Sequence, residues 1–230
     1  MSSFKWKIEE ISAEEYKKRL FSTEKNSDNT KPKNAYEVAT DIRKFEIDKY
    51  WQRTGYFWAF IASVYGAYFA VLINMYKIEK TDKIPTFEHG YLPLVVLSAL
   101  ALFFSFAWYL ANDASKHWQK NWEAHMDLLE DDITGALYKT FTAEKSYSVS
   151  KINILASKVI SVSSFILLMY ESYNFIERYF RTTLGIKRII FCLFIILVIF
   201  GLEIIKLNTR GNLAKSGEIK FVAKKYEDFQ

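Results

Sequence analysis

The sequence predicts an all-α integral membrane protein with four transmembrane helices, cytoplasmic helical extensions and a short β pairing of its two ends. Half of the 230 residues are hydrophobic, and they are clumped in four blocks rather than spread periodically. The first block contains 23 consecutive residues without a charge, 54–76, and the second contains another 23, 90–112. A run of about 20 apolar residues is long enough to cross the hydrocarbon core of a bilayer as a helix.

The N-terminal segment, residues 1–33, is predicted to be cytoplasmic and to end in a linker. Apolar residues alternate with lysine from Phe4 to Ile8, which indicates a short strand. Ser12 and Glu15 have the spacing of a capping box, which predicts the start of a helix. Residues 22–33 are polar and contain one proline, a composition typical of linkers. The segment is too charged to be a cleaved signal peptide, so we expect the first span to be retained.

Residues 34–76 are predicted to form one helix that is amphipathic at first and then enters the membrane. Asn34, followed three residues later by Glu37, has the residue types that cap the start of a helix. No glycine or proline occurs between Asn34 and Arg53, so nothing there would break the helix before the first span. Gly55 is the one place where we expect it to bend.

Small residues line one face of each of the first two spans. A spacing of three or four residues places each set on one side of its helix, and small residues let helix backbones approach closely in lipid. We therefore predict that the two spans pack as an antiparallel hairpin, although such a composition is also ordinary for transmembrane helices. The predicted packing residues are Ala62, Gly66, Ala70, Ser98, Ala101 and Ser105.

The longest connection between spans, residues 113–151, is predicted to be a cytoplasmic helical hairpin. Its first helix would continue from span two, Gly135 would allow a break, and a second short helix would follow over 137–141. His117 and His125 would lie about 12 Å apart along one helix, which is too far to share one metal within a chain. The predicted oligomer contacts of this hairpin are Trp118, Trp122, His125 and Leu129.

Spans three and four, residues 152–173 and 189–207, each contain an ionisable residue. Span three is long enough if Lys158 extends towards the cytoplasmic interface and Glu171 lies at the opposite surface. Lys158 and Glu203 both fall near the cytoplasmic ends of their spans, so we predict an intramembrane ion pair between them. Ion conduction or a proton relay through these residues is the alternative. Span four is rich in Ile, Leu and Phe, which favours a lipid-facing helix.

Four spans place both chain ends on the same side of the membrane. With that side cytoplasmic, the inner segments 1–53, 113–158 and 206–230 carry 12, 6 and 6 Lys and Arg residues, and the two outer loops carry 3 and 4. The positive-inside rule therefore favours cytoplasmic termini. The tail, 208–230, alternates from Ile219 to Ala223, which predicts a strand that pairs with the N-terminal strand of the same chain or of a neighbour.

Composition and motifs point away from several classes of function. The net charge of +5 suits contact with anionic lipid headgroups, and no glycine-rich loop or dense basic run indicates nucleic-acid binding. The sequence contains no nucleophile elbow, phosphate loop or pair of cysteines with zinc spacing. We therefore expect no enzymatic activity, no cofactor and no metal site. The one cysteine, Cys192, is predicted to be a small packing residue in span four.

Two blocks of aromatic and charged residues resemble a known family. The first block contains Arg43-Lys44-Phe45-Glu46-Ile47, Tyr50-Trp51, Arg53 and Tyr56-Phe57-Trp58, and the second contains Trp118, Asn121-Trp122-Glu123, His125, Asp127 and Leu128-Leu129-Glu130. Over about residues 36–140, the chain resembles the RipA family of octameric bacterial inner-membrane proteins. The resemblance implies a homo-oligomer, an octamer, in the bacterial cytoplasmic membrane, and it implies no catalytic residues. Members of the family differ in length and in number of spans, so the resemblance does not establish spans three and four or the terminal segments.

We expect the chain to be a homo-oligomeric membrane scaffold or assembly protein without catalysis. Its partners would be membrane lipid, other copies of itself, and a cytoplasmic protein bound at the assembled surface. The alternative is an oligomeric channel or membrane-disrupting effector, in which assembly creates a pore. No span carries a row of charged or amide residues at helical spacing, which speaks against a wide aqueous pore.

Overall fold

The predicted fold class is confirmed by a computed structural model, which is helical apart from two short strands. It describes residues 6–21, 30–79, 90–137, 139–140, 147–180, 183–209 and 222–226. The helices are α1, Ala13–Phe21; α2, Thr30–Glu79; α3, Tyr91–Leu129; α4, Val149–Tyr179; and α5, Leu184–Asn208. The strands are β1, Trp6–Glu10, and β2, Val222–Tyr226. Helices α2 to α5 are long and apolar enough to cross a membrane.

The chain divides into two compact units. One unit contains residues 1–48, 117–145 and 212–230, and we call it the terminal unit because it includes both ends of the chain. The other contains residues 49–116 and 146–211, and we call it the spanning unit because α4, α5 and most of the apolar residues belong to it. Helices α2 and α3 each contribute residues to both units.

In the terminal unit, the two strands pair as an antiparallel sheet within one chain. The register places Trp6 opposite Tyr226. The alternating patterns predicted strands over 4–8 and 219–223; β1 and β2 include 6–8 and 222–223 of these, and residues 4–5 and 219–221 lie outside the described residues. Pairing of the two ends of the same chain is the arrangement found, rather than pairing with a neighbour.

Helix α1 begins at the cap that its sequence predicted. The backbone N–H of Glu15 donates a hydrogen bond to Ser12 Oγ at 3.1 Å, which satisfies one of the free N–H groups of the first turn. Glu15 also accepts a hydrogen bond from Arg19 Nε at 2.9 Å, one turn further along. Both contacts are local, so this short helix is defined largely by its own sequence.

Helix α2 starts earlier than the sequence predicted. It begins at Thr30 and not at Asn34, so the predicted cap at Asn34 is wrong, and 30–33 are helical rather than part of a linker. Pro32 does not prevent this, because the first N–H groups of a helix have no intrahelical acceptor and proline loses nothing by lacking one. From there α2 runs without interruption through Gly55 to Glu79. The remainder of the predicted linker, 22–29, lies outside the described residues.

Helix α3 extends well beyond the apolar run that predicted it. It continues through Leu129 and is followed by one 3-10 turn, Glu130–Asp132. Gly135 then adopts a φ of 69°, a left-handed conformation that glycine adopts without strain. The second short helix predicted over 137–141 is wrong for the described residues up to position 140, which form turns. Its remaining positions, 138 and 141, lie outside the described residues.

Helices α4 and α5 contact each other in the spanning unit. Helix α4 is capped by Ser148, whose Oγ accepts a hydrogen bond from the backbone N–H of Lys151 at 3.4 Å. An edge-to-face contact joins Tyr173 of α4 to Phe191 of α5, with ring centroids 5.6 Å apart. No residue of α5 is buried, whereas α4 has a continuous buried face.

Candidate functional site: a polar seam in the spanning unit

The buried face of α4 is mainly polar. Its members recur chiefly every three or four residues, which places them on one side of the helix. Six of the eight carry polar side chains: the buried residues are Asn153, Ser157, Ser161, Ser164, Leu168, Glu171, Ser172 and Ile176. We call these six polar side chains, with the α2 and α3 side chains that bond to them, the polar seam.

Three serines of the seam bond to their own helix. Ser157 Oγ donates to the carbonyl of Ile154 at 2.8 Å, and Ser161 Oγ donates to the carbonyl of Ser157 at 2.8 Å. Ser164 Oγ donates to the carbonyl of Ile160 at 2.7 Å. Such bonds satisfy a hydroxyl without a partner from another helix. The serines therefore act as small side chains that allow neighbouring helices to come close.

One end of the seam is an amide and hydroxyl cluster around Asn153. Its Nδ2 lies 2.6 Å from Tyr50 Oη, 3.2 Å from Thr54 Oγ1 and 3.3 Å from Asn112 Oδ1. All four residues are buried. An amide group has only two N–H bonds, so it can serve two of these three acceptors at once. The cluster joins α2, α3 and α4 through a single side chain.

The middle of the seam is a contact of three hydroxyl groups. Tyr65 Oη lies 2.8 Å from Ser164 Oγ, and Ser105 Oγ donates to Ser164 Oγ at 3.4 Å. The single O–H of Ser105 donates to one acceptor at a time, and the carbonyl of Leu102 in its own helix, at 3.1 Å, is the alternative acceptor. One hydroxyl from each of α2, α3 and α4 therefore meets at Ser164.

The other end of the seam is a buried carboxyl group. Glu171 is only 1% exposed, and its Oε1 accepts a hydrogen bond from Tyr68 Oη at 2.6 Å. Tyr68 in turn packs with Met75 and Leu94 in the hydrophobic core. The side chain of Glu171 is enclosed by the helices of the chain, while its expected position at the outer surface of the membrane stays a prediction.

The small residues predicted to pack spans one and two lie in different surroundings. Ser98, Ala101 and Ser105 of α3 are buried. Their counterparts on α2 are exposed, and a Cβ added at Gly66 would meet no atom within 4 Å. The chain therefore covers the small face of α3 and leaves that of α2, Ala62, Gly66 and Ala70, uncovered.

The predicted ion pair between Lys158 and Glu203 is not formed within the chain. Lys158 Nζ lies 5.2 Å from the centroid of the Tyr109 ring, a cation–π arrangement. Glu203 instead pairs with Lys206, one turn along α5, at 3.6 Å. The prediction paired Lys158 with Glu203 because the two residues lie at a similar depth in the membrane. Depth does not determine the direction in which a side chain leaves its helix, so the two side chains do not meet within the chain.

The predicted oligomer contacts lie in the terminal unit and differ in exposure. Trp118 is 42% exposed, beside His117, while Leu129 is 2% exposed and is therefore unavailable as a contact. Trp122 packs on His125 with ring centroids 5.1 Å apart. These aromatic residues follow helical spacing, but only part of the set faces outward.

His125 is bonded to α1 in the terminal unit. Its Nδ1 lies 2.6 Å from Tyr16 Oη, and burial raises the pKa of Tyr16 to about 12. Burial also lowers the pKa of His125, which lies 13 residues beyond the uncharged run that ends at position 112. A neutral imidazole whose Nδ1 accepts a hydrogen bond from the neutral phenol O–H fits both shifts. Beside it, Arg43 Nη2 pairs with Glu123 Oε1 at 3.0 Å.

No group of three His, Cys, Asp or Glu side chains within the described ranges could hold a metal ion. The polar seam contains one carboxyl group, and its other members are amides and hydroxyls. Its chemistry is therefore hydrogen bonding and proton exchange.

A family model matches residues 33–173, more than half of the chain, and is described as the octameric membrane protein family (8xMP). The chain belongs to this family. Within the 8xMP match lie most of α2, all of α3 and most of α4, and hence the polar seam, whereas α5 and both strands lie outside it. Family membership and the four apolar helices identify a multi-pass membrane protein. No curated protein and no solved structure matches the chain.

The sequence analysis missed Asn153, Tyr68 and Glu171 as members of one site. A signal was present, since polar and small residues recur along span three at helical spacing. Lys158 and Glu171 were used only to delimit the span, and the Lys158 side chain is exposed. The partners on α2 gave no such signal, because tyrosine and threonine are common in transmembrane helices.

Proposed function

We propose that this 8xMP chain is a homo-oligomeric membrane scaffold of eight copies that presents the terminal unit to a protein partner and performs no catalysis. The family description gives the stoichiometry of the proposal. The observation that carries it is the uncovered small face of α2, which leaves room for the close approach of a helix from another copy.

The position of this face on α2 supports the proposal. At 100° per residue, Ala62, Gly66 and Ala70 lie roughly 100–180° around the helix from the buried residues Ile61 and Tyr68, with a mean of about 140°. The side of α2 that packs inside the chain is therefore the side away from the small residues. Small residues on a surface that faces lipid would not stabilise an isolated chain. At an interface between copies, they would allow the helix backbones to approach closely.

Leucine substitutions on the small face test the proposal. Ala62→Leu and Gly66→Leu would place bulk where the backbones of two copies approach, and we expect both to convert the octamer into smaller species. The measurement is particle mass in lipid nanodiscs by mass photometry, with imaging of the particle to count copies.

A matched control lies on the same helix. Ala67 is also exposed but lies roughly 100° around the helix from Gly66 and roughly 60° from Ala70, at the edge of the small face, so Ala67→Leu should lower the particle mass less than Gly66→Leu. A wild-type particle of one or two copies would overturn the proposal. Equal effects of the Gly66 and Ala67 substitutions would show that α2 does not associate through the small face.

We further infer that the protein lies in a bacterial cytoplasmic membrane with both termini in the cytoplasm. The bacterial assignment follows from the resemblance to the RipA family, and the orientation follows from the 24 Lys and Arg residues of the inner segments against 7 in the outer loops. Reporter fusions at the C-terminus and in the loop 80–89 test the orientation. A C-terminal reporter that is active outside the cytoplasm would contradict it.

The partner-binding surface is proposed to include Trp118, an exposed aromatic residue of the terminal unit. Large exposed aromatic side chains are enriched in protein interfaces.

The rival function is an oligomeric channel or membrane-disrupting effector, and the polar seam is the feature that favours it. Ion flux in reconstituted liposomes separates the two functions, because the scaffold predicts no flux above that of empty liposomes.

A further inference from the structure

The carboxyl group of Glu171 has one oxygen that no donor reaches. Oε1 accepts the hydrogen bond from Tyr68, but Oε2 is buried and has no hydrogen-bond partner among the described residues. The neighbouring Ser172 Oγ is also buried without a partner in the described part of the chain. Unpaired polar atoms cost free energy in an apolar interior, and an unpaired charge costs far more.

Within the ranges that the structure describes, no Lys, Arg or His side chain pairs with Glu171. On α2 it meets the phenol of Tyr68, with Tyr65 one turn away, and the core around Tyr68 includes Leu94 of α3. The nearby charged groups have other partners. On α4, Arg178 lies over the ring of Tyr91 of α3, and Glu177 is bonded to Lys187 of α5.

We propose that Glu171 is a proton-binding group inside the spanning unit, protonated at Oε2 at neutral pH. A neutral acid suits this site because Oε1 then acts as the carbonyl oxygen that accepts from Tyr68, while Oε2 carries the proton. The alternative ligand, a metal cation, needs about six oxygen ligands, more than these side chains offer. This inference goes beyond the scaffold function and does not depend on the number of copies.

The site is closed by apolar side chains along the seam. Leu168 is buried one turn before Glu171 and separates it from Ser164. Met75 and Leu94 pack with Tyr68 in the hydrophobic core. A proton bound at Glu171 therefore exchanges with water only when these helices move, and the static seam is not a continuous proton path.

Carbodiimide labelling of the wild-type protein tests the proposal without any substitution. Dicyclohexylcarbodiimide is soluble in the bilayer and adds to protonated carboxyl groups, so mass spectrometry of the protein in nanodiscs should find an adduct at Glu171 at about pH 7. A water-soluble carbodiimide should label Glu177, which is exposed at the end of the same helix, and leave Glu171 unmodified. Labelling of Glu171 by the water-soluble reagent would overturn the closed site.

Infrared spectroscopy measures the proton directly. The wild-type protein should show the C=O stretching band of a protonated carboxylic acid at about pH 7, at which exposed Asp and Glu side chains are ionised. Glu171→Gln should remove this band and Glu177→Gln should not. Tyr68→Phe should retain the band at higher frequency, because the carbonyl has lost its hydrogen bond.

Each measurement has an outcome against the proposal. The absence of a protonated carboxyl band in the wild type at about pH 7 overturns it, whatever the labelling shows. A band that survives Glu171→Gln assigns the proton to another residue. If Glu171→Gln does not fold, the Tyr68→Phe frequency shift decides the assignment, and no shift counts against Glu171.

Discussion

Helices α4 and α5 are neighbours in the spanning unit, but they differ in which residues are buried. Helix α5 is the more apolar of the two, yet none of its residues is buried. Helix α4 contains serines, an asparagine and a glutamate, and these residues form its buried face. In lipid, apolar side chains gain little by leaving the acyl chains, so small and polar residues mark the face that packs.

The difference teaches that hydropathy and packing are separate properties of a membrane helix. The clearest transmembrane signal in this sequence belongs to α5, a helix with no buried residue. The span that was hardest to delimit from its sequence, α4, holds three helices together. Four experiments test this difference between α4 and α5, and they are ordered from the largest expected effect to the smallest.

The first experiment makes the same substitution in both helices. Leu168 of α4 is 3% exposed and Leu197 of α5 is 68% exposed. Leu168→Ala should leave a cavity and lower the free energy of unfolding by about 2–5 kcal/mol, while Leu197→Ala should change it by less than about 0.5 kcal/mol. Unfolding in mixed micelles measures both. Equal losses would show that α5 is packed against another copy.

The second experiment removes the amide that joins three helices. Asn153→Ala should leave the buried oxygens of Tyr50, Thr54 and Asn112 without their shared donor, at a cost of about 1–3 kcal/mol in unfolding free energy. A double-mutant cycle with Tyr50→Phe is the control, because the two changes should be less than additive. Strict additivity would mean that this hydrogen bond contributes nothing.

The third experiment compares two adjacent serines of α4. Ser164 bonds to Tyr65 inside the seam, whereas Ser163 is exposed on another face. Ser164→Ala should lower the thermal stability in detergent by the equivalent of about 0.6 kcal/mol, the average for such bonds in membranes. Ser163→Ala should have no measurable effect. A larger effect at position 163 would place the packing face of α4 elsewhere.

The fourth experiment tests the one acidic residue in the apolar part of α5. Glu203 is exposed and, among the described residues, pairs with Lys206 in its own helix, so Glu203→Gln should change unfolding free energy by less than about 0.5 kcal/mol. The measurement is the same unfolding assay, with Lys206→Gln as the paired control. A large loss from Glu203→Gln alone would indicate a partner of Glu203 in another copy.

The sequence was sufficient to predict the secondary-structure elements but not the rotation of each helix about its own axis. Uncharged runs predicted the first two spans, and Ser12 predicted the start of α1, because length and capping are local properties. The bond between Tyr68 and Glu171 joins residues 103 positions apart. Periodicity gives each helix a face but does not say which faces meet, so this contact and the mistaken pairing of Lys158 with Glu203 both depended on unknown rotations.

The antiparallel sheet of β1 and β2 has a consequence for the order of folding during synthesis. The ribosome makes β1 before any of the four spans and β2 only after the last of them. The backbone N–H and C=O groups of β1 therefore have no strand partner while the spans are inserted. During that interval β1 can pair with another nascent chain. A delay in synthesis after α5 would prolong that interval, so translation speed there should govern how often two chains become joined through their first strands.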